Sequence, residues 1–151
     1  MYLESPAGTA SKRHALLLFV LTVLFVLRVG GQALQRWHPL HVLPSFAAWQ
    51  GSNLPYPLLL SMQLLLVAVM LRVCWRTARG TNTPHRRLGV WLAACGVIYM
   101  AGSVLRIVIG LTVADAPAWF SAWISAVFHL VLAGFVLTAA HHHLRARHLE
   151  S

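Results

Sequence analysis

Acidic side chains are scarce in this sequence of 151 residues, which has three of them against twelve lysines and arginines. The acids Glu4, Asp115 and Glu150 lie near the termini or in a predicted loop, so paired carboxylates for acid–base catalysis are excluded from the long apolar segments. P-loop, GxGxxG, GxSxG and HExxH patterns are also absent. The sequence thus leaves open whether the protein turns over a substrate.

Cysteine is rarer still, with two residues. Cys74 and Cys95 have no CxxC spacing, which excludes a redox pair or a metal knuckle of the usual kind. They lie at different depths of two apolar segments, and we expect both to be small buried residues.

Charge of either sign is sparse, because charged residues make up 10% of the chain and hydrophobic residues 58%. Soluble domains carry roughly 25% charged residues, so lipid is the expected solvent of this chain. Its basic residues flank apolar segments instead of forming a basic domain. We therefore expect membrane lipid and no nucleic acid as a partner.

Four apolar runs are each long enough to cross a bilayer as a helix: 15–34, 57–75, 88–111 and 119–141. The first run contains Arg28 and no clear cleavage site, which favours a retained helix over a signal peptide. The sequence predicts an all-α polytopic membrane protein, a four-transmembrane-helix bundle in a single domain over residues 1–151.

The basic residues predict the orientation of the bundle. They concentrate before the first run, between the second and third, and after the fourth: Lys12, Arg13, Arg76, Arg79, Arg86, Arg87, Arg145 and Arg147. This bias predicts a bacterial-type inner membrane protein with both termini cytoplasmic. In the first outer loop, 35–56, Ser45 and Gly51 are a potential N-cap and stop of a short interfacial helix.

Arg28 and Arg106 interrupt the first and third apolar runs. Counted at about 1.5 Å per residue, Arg28, Gln63 and Arg106 share one layer, roughly 8–9 Å below the outer surface. Helical phase adds neighbours on the same faces: Gln32 with Arg28, Tyr99 and Ser103 with Arg106, and Ser125 and His129 with Ser121. Polar residues in membrane helices usually face the bundle interior.

These stripes predict a polar column that opens to the outer leaflet and ends near His129 and Tyr99. In one interpretation they are interhelical hydrogen bonds and arginines that reach for headgroups. In the other they form a ligand pocket: Arg28, Gln32, Gln63, Tyr99, Ser103, Arg106, Ser125 and His129. Guanidinium groups suit a phospholipid headgroup, a quinone or an acyl carboxylate. Other membrane subunits are the further candidate partners.

The nine histidines suggest cofactors that the spacing does not favour. Only His129 lies deep, whereas a membrane b-type haem usually has two axial histidines, so a redox or cytochrome-like subunit using His129 is the alternative function. His141, His142, His143 and His148 could bind a metal at the helix end, but consecutive helical residues point about 100° apart. An anchor for anionic lipid explains them more simply, and we predict no metal site.

Arg28-Val29-Gly30-Gly31 near the end of the first run precedes a loop, a short amphipathic turn and Leu54-Pro55, and then the second run and a basic turn. This order resembles the DoxX-like group of small four-helix membrane proteins, which is itself similar to the membrane part of the vitamin K-dependent carboxylase group. The resemblance covers the first half of the chain. It implies the four-helix architecture and not the activity, since Gln63 stands near an acidic position of that family.

Overall fold

The computed structural model describes residues 6–49, 54–113 and 123–145, and this part of the chain is helical with no strand. The helices are α1 (Pro6–Trp37), α2 (Phe46–Trp49), α3 (Tyr56–Ala78), α4 (Arg86–Thr112) and α5 (Trp123–Arg145). Four of them, α1, α3, α4 and α5, are long and apolar enough to cross a membrane. The predicted fold class, a multi-pass four-helix bundle, is therefore confirmed.

The long helices extend beyond the apolar runs that predicted them. Once a helix has formed, each added residue gains a backbone hydrogen bond, so the helix continues into the polar flanks at the membrane surface. The short interfacial helix α2 follows Ser45, whose carbonyl accepts a bond from the amide of Ala48 at 2.9 Å. Its predicted stop, Gly51, and the start of the fourth run lie outside the described residues.

The helices pack in the order α3, α1, α5 and α4, and the closest pair is α4 with α5. The short helix α2 rests on α1 and α5 at one end of the bundle. Within the described helices, α3 and α4 form no comparable interface. The bundle is consequently open on one side, between α3 and α4.

Glycines on α4 explain its close approach to α5. A Cβ added at Gly96 would lie 2.8 Å from Leu137 Cδ2, and one added at Gly89 would lie 3.0 Å from the Cβ of His143. Lipid removes most of the hydrophobic driving force between helices, so association depends on van der Waals contact between closely spaced backbones. The seven-residue spacing of these glycines keeps them on one face of α4.

The interface between α1 and α3 forms the apolar core, which α5 completes with Phe135. Within it Thr22 Oγ1 lies 3.3 Å from the Sγ atom of Cys74, which is buried as expected. Cys95 is exposed, so our expectation of burial was wrong for this residue. Its helix turns that face away from α5 toward the surroundings of the bundle.

The histidines at the end opposite α2 have separate structural contacts. His141 stacks on His14 with ring centroids 5.1 Å apart, and the amide of His85 donates to His143 Nδ1 at 3.2 Å. His142 lies 3.3 Å from the carbonyl of Asn82. The rings of His142 and His143 also meet edge to face, with centroids 5.7 Å apart. The described residues contain no group of three potential metal-ligating side chains.

Candidate functional site

A cavity of about 540 Å³ lies among the four long helices. Six of the eight predicted site residues line it: Arg28, Gln63, Tyr99, Arg106, Ser125 and His129. The remaining two, Gln32 and Ser103, do not belong to its wall. Helical phase assigns each residue to a face of its own helix, and the packing of the helices brings those faces together.

The rest of the wall is apolar and escaped the sequence analysis. Phe25 of α1, Leu66 of α3, and Phe128 and Leu132 of α5 contribute to it. Nothing in the sequence distinguishes these side chains from the many others that face lipid or fill the core. Drug-sized ligands occupy cavities of about 300–1,000 Å³ with mostly apolar walls and few polar groups, and this cavity has that character.

The cavity opens sideways between α3 and α4. Met62, Leu65 and Val69 of α3 line it and are also exposed, Leu65 to 69%. Tyr99 of α4 is 37% exposed and lies at this open side, although the sequence analysis predicted it at the floor. The cavity is therefore accessible from the side of the bundle, between α3 and α4.

Arg28 is buried, with 6% of its surface exposed. Its Nη1 donates to Gln32 Oε1 and its Nη2 to the Trp49 carbonyl, each at 3.3 Å. The guanidinium carbon lies 5.8 Å from the centroid of the Phe128 ring, within the range of a cation–π contact. The third nitrogen, Nε, is buried without a hydrogen-bond partner.

Gln32 and Gln63 extend this network from α1 to α3. Gln63 Nε2 donates to Gln32 Oε1 at 3.0 Å, so that one oxygen accepts from both Gln63 and Arg28. Gln32 Nε2 and Gln63 Oε1 are buried without partners. Each unsatisfied buried polar group costs about 1–3 kcal/mol, which makes this cluster an expensive feature of an otherwise apolar bundle.

Trp49 belongs to the short helix predicted between Ser45 and Gly51, and the sequence analysis did not identify it as a site residue. Its indole Nε1 donates to the Pro44 carbonyl at 3.0 Å, while its own carbonyl accepts from Arg28. A Cβ at Gly31 would lie 3.1 Å from the indole ring, so glycine lets α2 settle close to α1. The Gly30-Gly31 pair was the available signal, because a ring approaches a helix backbone most closely at glycine.

On the opposite wall, the rings of Tyr99 and His129 lie 5.5 Å apart. His129 Nδ1 bonds to the Ser125 carbonyl in the preceding turn. A carbonyl only accepts, so Nδ1 carries the hydrogen and Nε2 is the nitrogen left to meet a ligand. Ser103 donates to the Tyr99 carbonyl at 2.8 Å, which binds it to its own helix.

Arg106 brings a second guanidinium to the cavity wall and is itself buried, with 5% of its surface exposed. The predicted layer of two cations and one glutamine therefore surrounds one space. The three carboxylates of the chain, like Ser121, lie outside the described residues. Two buried guanidinium groups thus belong to one cavity wall, and none of the described residues that line it is acidic.

Comparison of this chain with family models, curated proteins and solved structures finds no match. The resemblance to the DoxX-like group accordingly stays a prediction, and the site is interpreted from its own geometry.

Proposed function

We propose that this protein is an integral membrane ligand-binding or accessory protein. Its cavity would hold an amphiphile with an anionic or carbonyl-bearing head, such as a lipid or a quinone-like molecule. The observation that carries the proposal is Arg28, a buried cation in the cavity wall whose Nε has no partner.

Arginine stays protonated in proteins, so its charge in the bundle must be compensated by acceptors. Gln32 and the Trp49 carbonyl supply two neutral acceptors to Arg28 at 3.3 Å, a long distance for hydrogen bonds. A carboxylate, phosphate or carbonyl oxygen in the cavity would offer a stronger acceptor. The head of the guest would then lie between Arg28 and Arg106.

The apolar wall and the lateral opening suit the remainder of such a guest. An acyl or isoprenoid chain would pack against Leu66, Phe128 and Leu132 and leave between α3 and α4 into the bilayer. Burial of the chain by this wall adds little over lipid, because both surroundings are apolar. The polar head therefore supplies the specificity of binding.

The basic flanks of the helices support a bacterial-type inner membrane location with both termini cytoplasmic. The proposed role includes that of a subunit of a larger membrane complex. The contacts of the described residues do not favour the cytochrome-like alternative, because His129 is the one histidine among those of them that line the cavity.

Mass spectrometry of the lipids and quinones that co-purify with the protein tests this proposal. Wild type should retain a guest enriched over bulk lipid, and Arg28→Met and Arg106→Met should each lose it. Arg72→Met is the matched control, because Arg72 is exposed on α3 and does not line the cavity. Identical guest profiles in wild type and both cavity variants would refute the proposal.

A further inference from the structure

The contacts of Arg28 determine which way two glutamine amides point. A guanidinium only donates hydrogen bonds, so the Gln32 atom facing Arg28 Nη1 must be its oxygen. The Gln63 atom facing that oxygen must then be the amide nitrogen. Amide flips are ordinarily ambiguous, but here reversing either amide would set donor against donor or acceptor against acceptor.

With the two amides in this orientation, the residues of the cavity wall have one hydrogen-bond acceptor and one donor without a partner. Gln63 Oε1 is the acceptor and Arg28 Nε is the donor, and both atoms are buried without partners. Gln32 Nε2 is also free, but Gln32 lies behind the wall. Surface water does not satisfy these atoms, because they are shielded from solvent.

We infer that the cavity selects an amphiphile whose head carries a hydroxyl donor close to an acceptor oxygen, such as that of a carbonyl, a phosphoryl or a ring ether. This inference rests on the proposed function and specifies the chemical class of its ligand. The acceptor would take a hydrogen bond from Arg28 Nε, and the hydroxyl would donate to Gln63 Oε1. Both contacts require the side chains to rotate toward the cavity, because the two atoms are shielded from it as well as from bulk water.

Gln63 Oε1 and Arg28 Nε together exclude head groups that accept hydrogen bonds but donate none. A quinone, a methyl ester or an ionised carboxylate offers no hydrogen to Gln63 Oε1 and would bring a second oxygen against it. A site built to bond a hydroxyl rejects the analogue that lacks it, because the polar group of the protein then stays unpaired. The required pairing occurs in glycerol esters and in hydroquinones, which are two sources of the same chemistry.

Two matched pairs of probes distinguish these sources by calorimetric titration of the full-length, delipidated protein in detergent micelles. Monooleoylglycerol and methyl oleate share a chain and an ester, and only the first has hydroxyls. Decylubiquinol and decylubiquinone, titrated without oxygen, differ by two hydroxyl hydrogens. We expect the hydroxyl-bearing member of at least one pair to bind about tenfold more tightly than its partner.

In the variant Gln63→Met, the two probes of a pair should bind with about equal affinity. The affinity for the probe without hydroxyls should be the same as in wild type. Ser61→Ala is the control on α3, because the Ser61 hydroxyl is exposed and donates to the Pro57 carbonyl of its own helix at 2.8 Å. If Gln63→Met does not fold, the titrations of the two probe pairs against wild type decide the question by themselves.

The outcomes separate the two proposals. Equal binding within both pairs, or a preference that survives in Gln63→Met, would overturn this inference while the lipid-binding function stands. If none of the four probes binds and no guest co-purifies with wild type, the proposed function is wrong and this inference fails with it.

Discussion

Replacement of Arg28 by methionine separates binding from stability. Methionine retains most of the length of the arginine stem but lacks the charge and the three donor nitrogens. The change removes two hydrogen bonds, to Gln32 Oε1 and to the Trp49 carbonyl, both at 3.3 Å. Polar bonds between membrane helices average about 0.6 kcal/mol and hydrogen bonds in proteins reach about 1.5 kcal/mol, so the loss is about 1–3 kcal/mol.

The same replacement removes two costs. The unpartnered Nε atom costs about 1–3 kcal/mol, and the cation itself is desolvated by burial. The stability lost with the two hydrogen bonds and the stability gained by removing these two costs therefore nearly cancel. We expect the unfolding free energy of delipidated Arg28→Met to stay within about 1 kcal/mol of wild type, because a residue retained for ligand binding is rarely optimal for stability.

Reversible unfolding in mixed micelles, followed by circular dichroism, measures this difference. Added lipid extract from the host membrane should stabilise wild type, because a ligand that binds only the folded state raises the unfolding free energy. The same extract should leave Arg28→Met unchanged. Arg72→Met again serves as the control, and we expect it to respond to the extract as wild type does.

A structural role for Arg28 would give the opposite pattern. Breaking a buried hydrogen-bond network on which the fold depends is among the changes that destabilise a protein by more than about 3 kcal/mol. A loss of that size in delipidated Arg28→Met, together with an undiminished response to lipid extract, would refute the reasoning. Arg28 would then be a structural element of the α1–α2 contact.

Two further variants test the opening and the packing of the bundle. Leu65→Trp should lower guest retention about tenfold, because the larger side chain narrows the gap between α3 and α4. Leu64→Trp is the control and should retain the guest, since Leu64 is exposed but does not line the cavity. The amount of co-purified lipid measures both effects. Gly96→Ala should destabilise the α4–α5 pair by about 1–3 kcal/mol through the contact at 2.8 Å, as measured by unfolding in micelles. Gly102→Ala should be nearly neutral, since nothing lies within 4 Å of its added Cβ.

The sequence alone determined the number of spans and the residues inside them. In lipid every backbone group must find a partner within its own segment, so a long apolar run forms a helix whatever surrounds it. Counting residues along each run likewise predicted one layer for Arg28, Gln63 and Arg106, and the three line one cavity. These are local properties, which is why hydropathy and helical phase were sufficient.

Only the tertiary structure decided how the polar faces meet. The rotation of each helix depends on contacts between residues distant in sequence, such as Gly96 with Leu137 or Gly31 with Trp49. The open side between α3 and α4 and the position of Tyr99 beside it follow from those contacts. Hydrogen-bond direction is likewise a property of the assembled cluster, since each glutamine amide takes its orientation from the neighbour it meets.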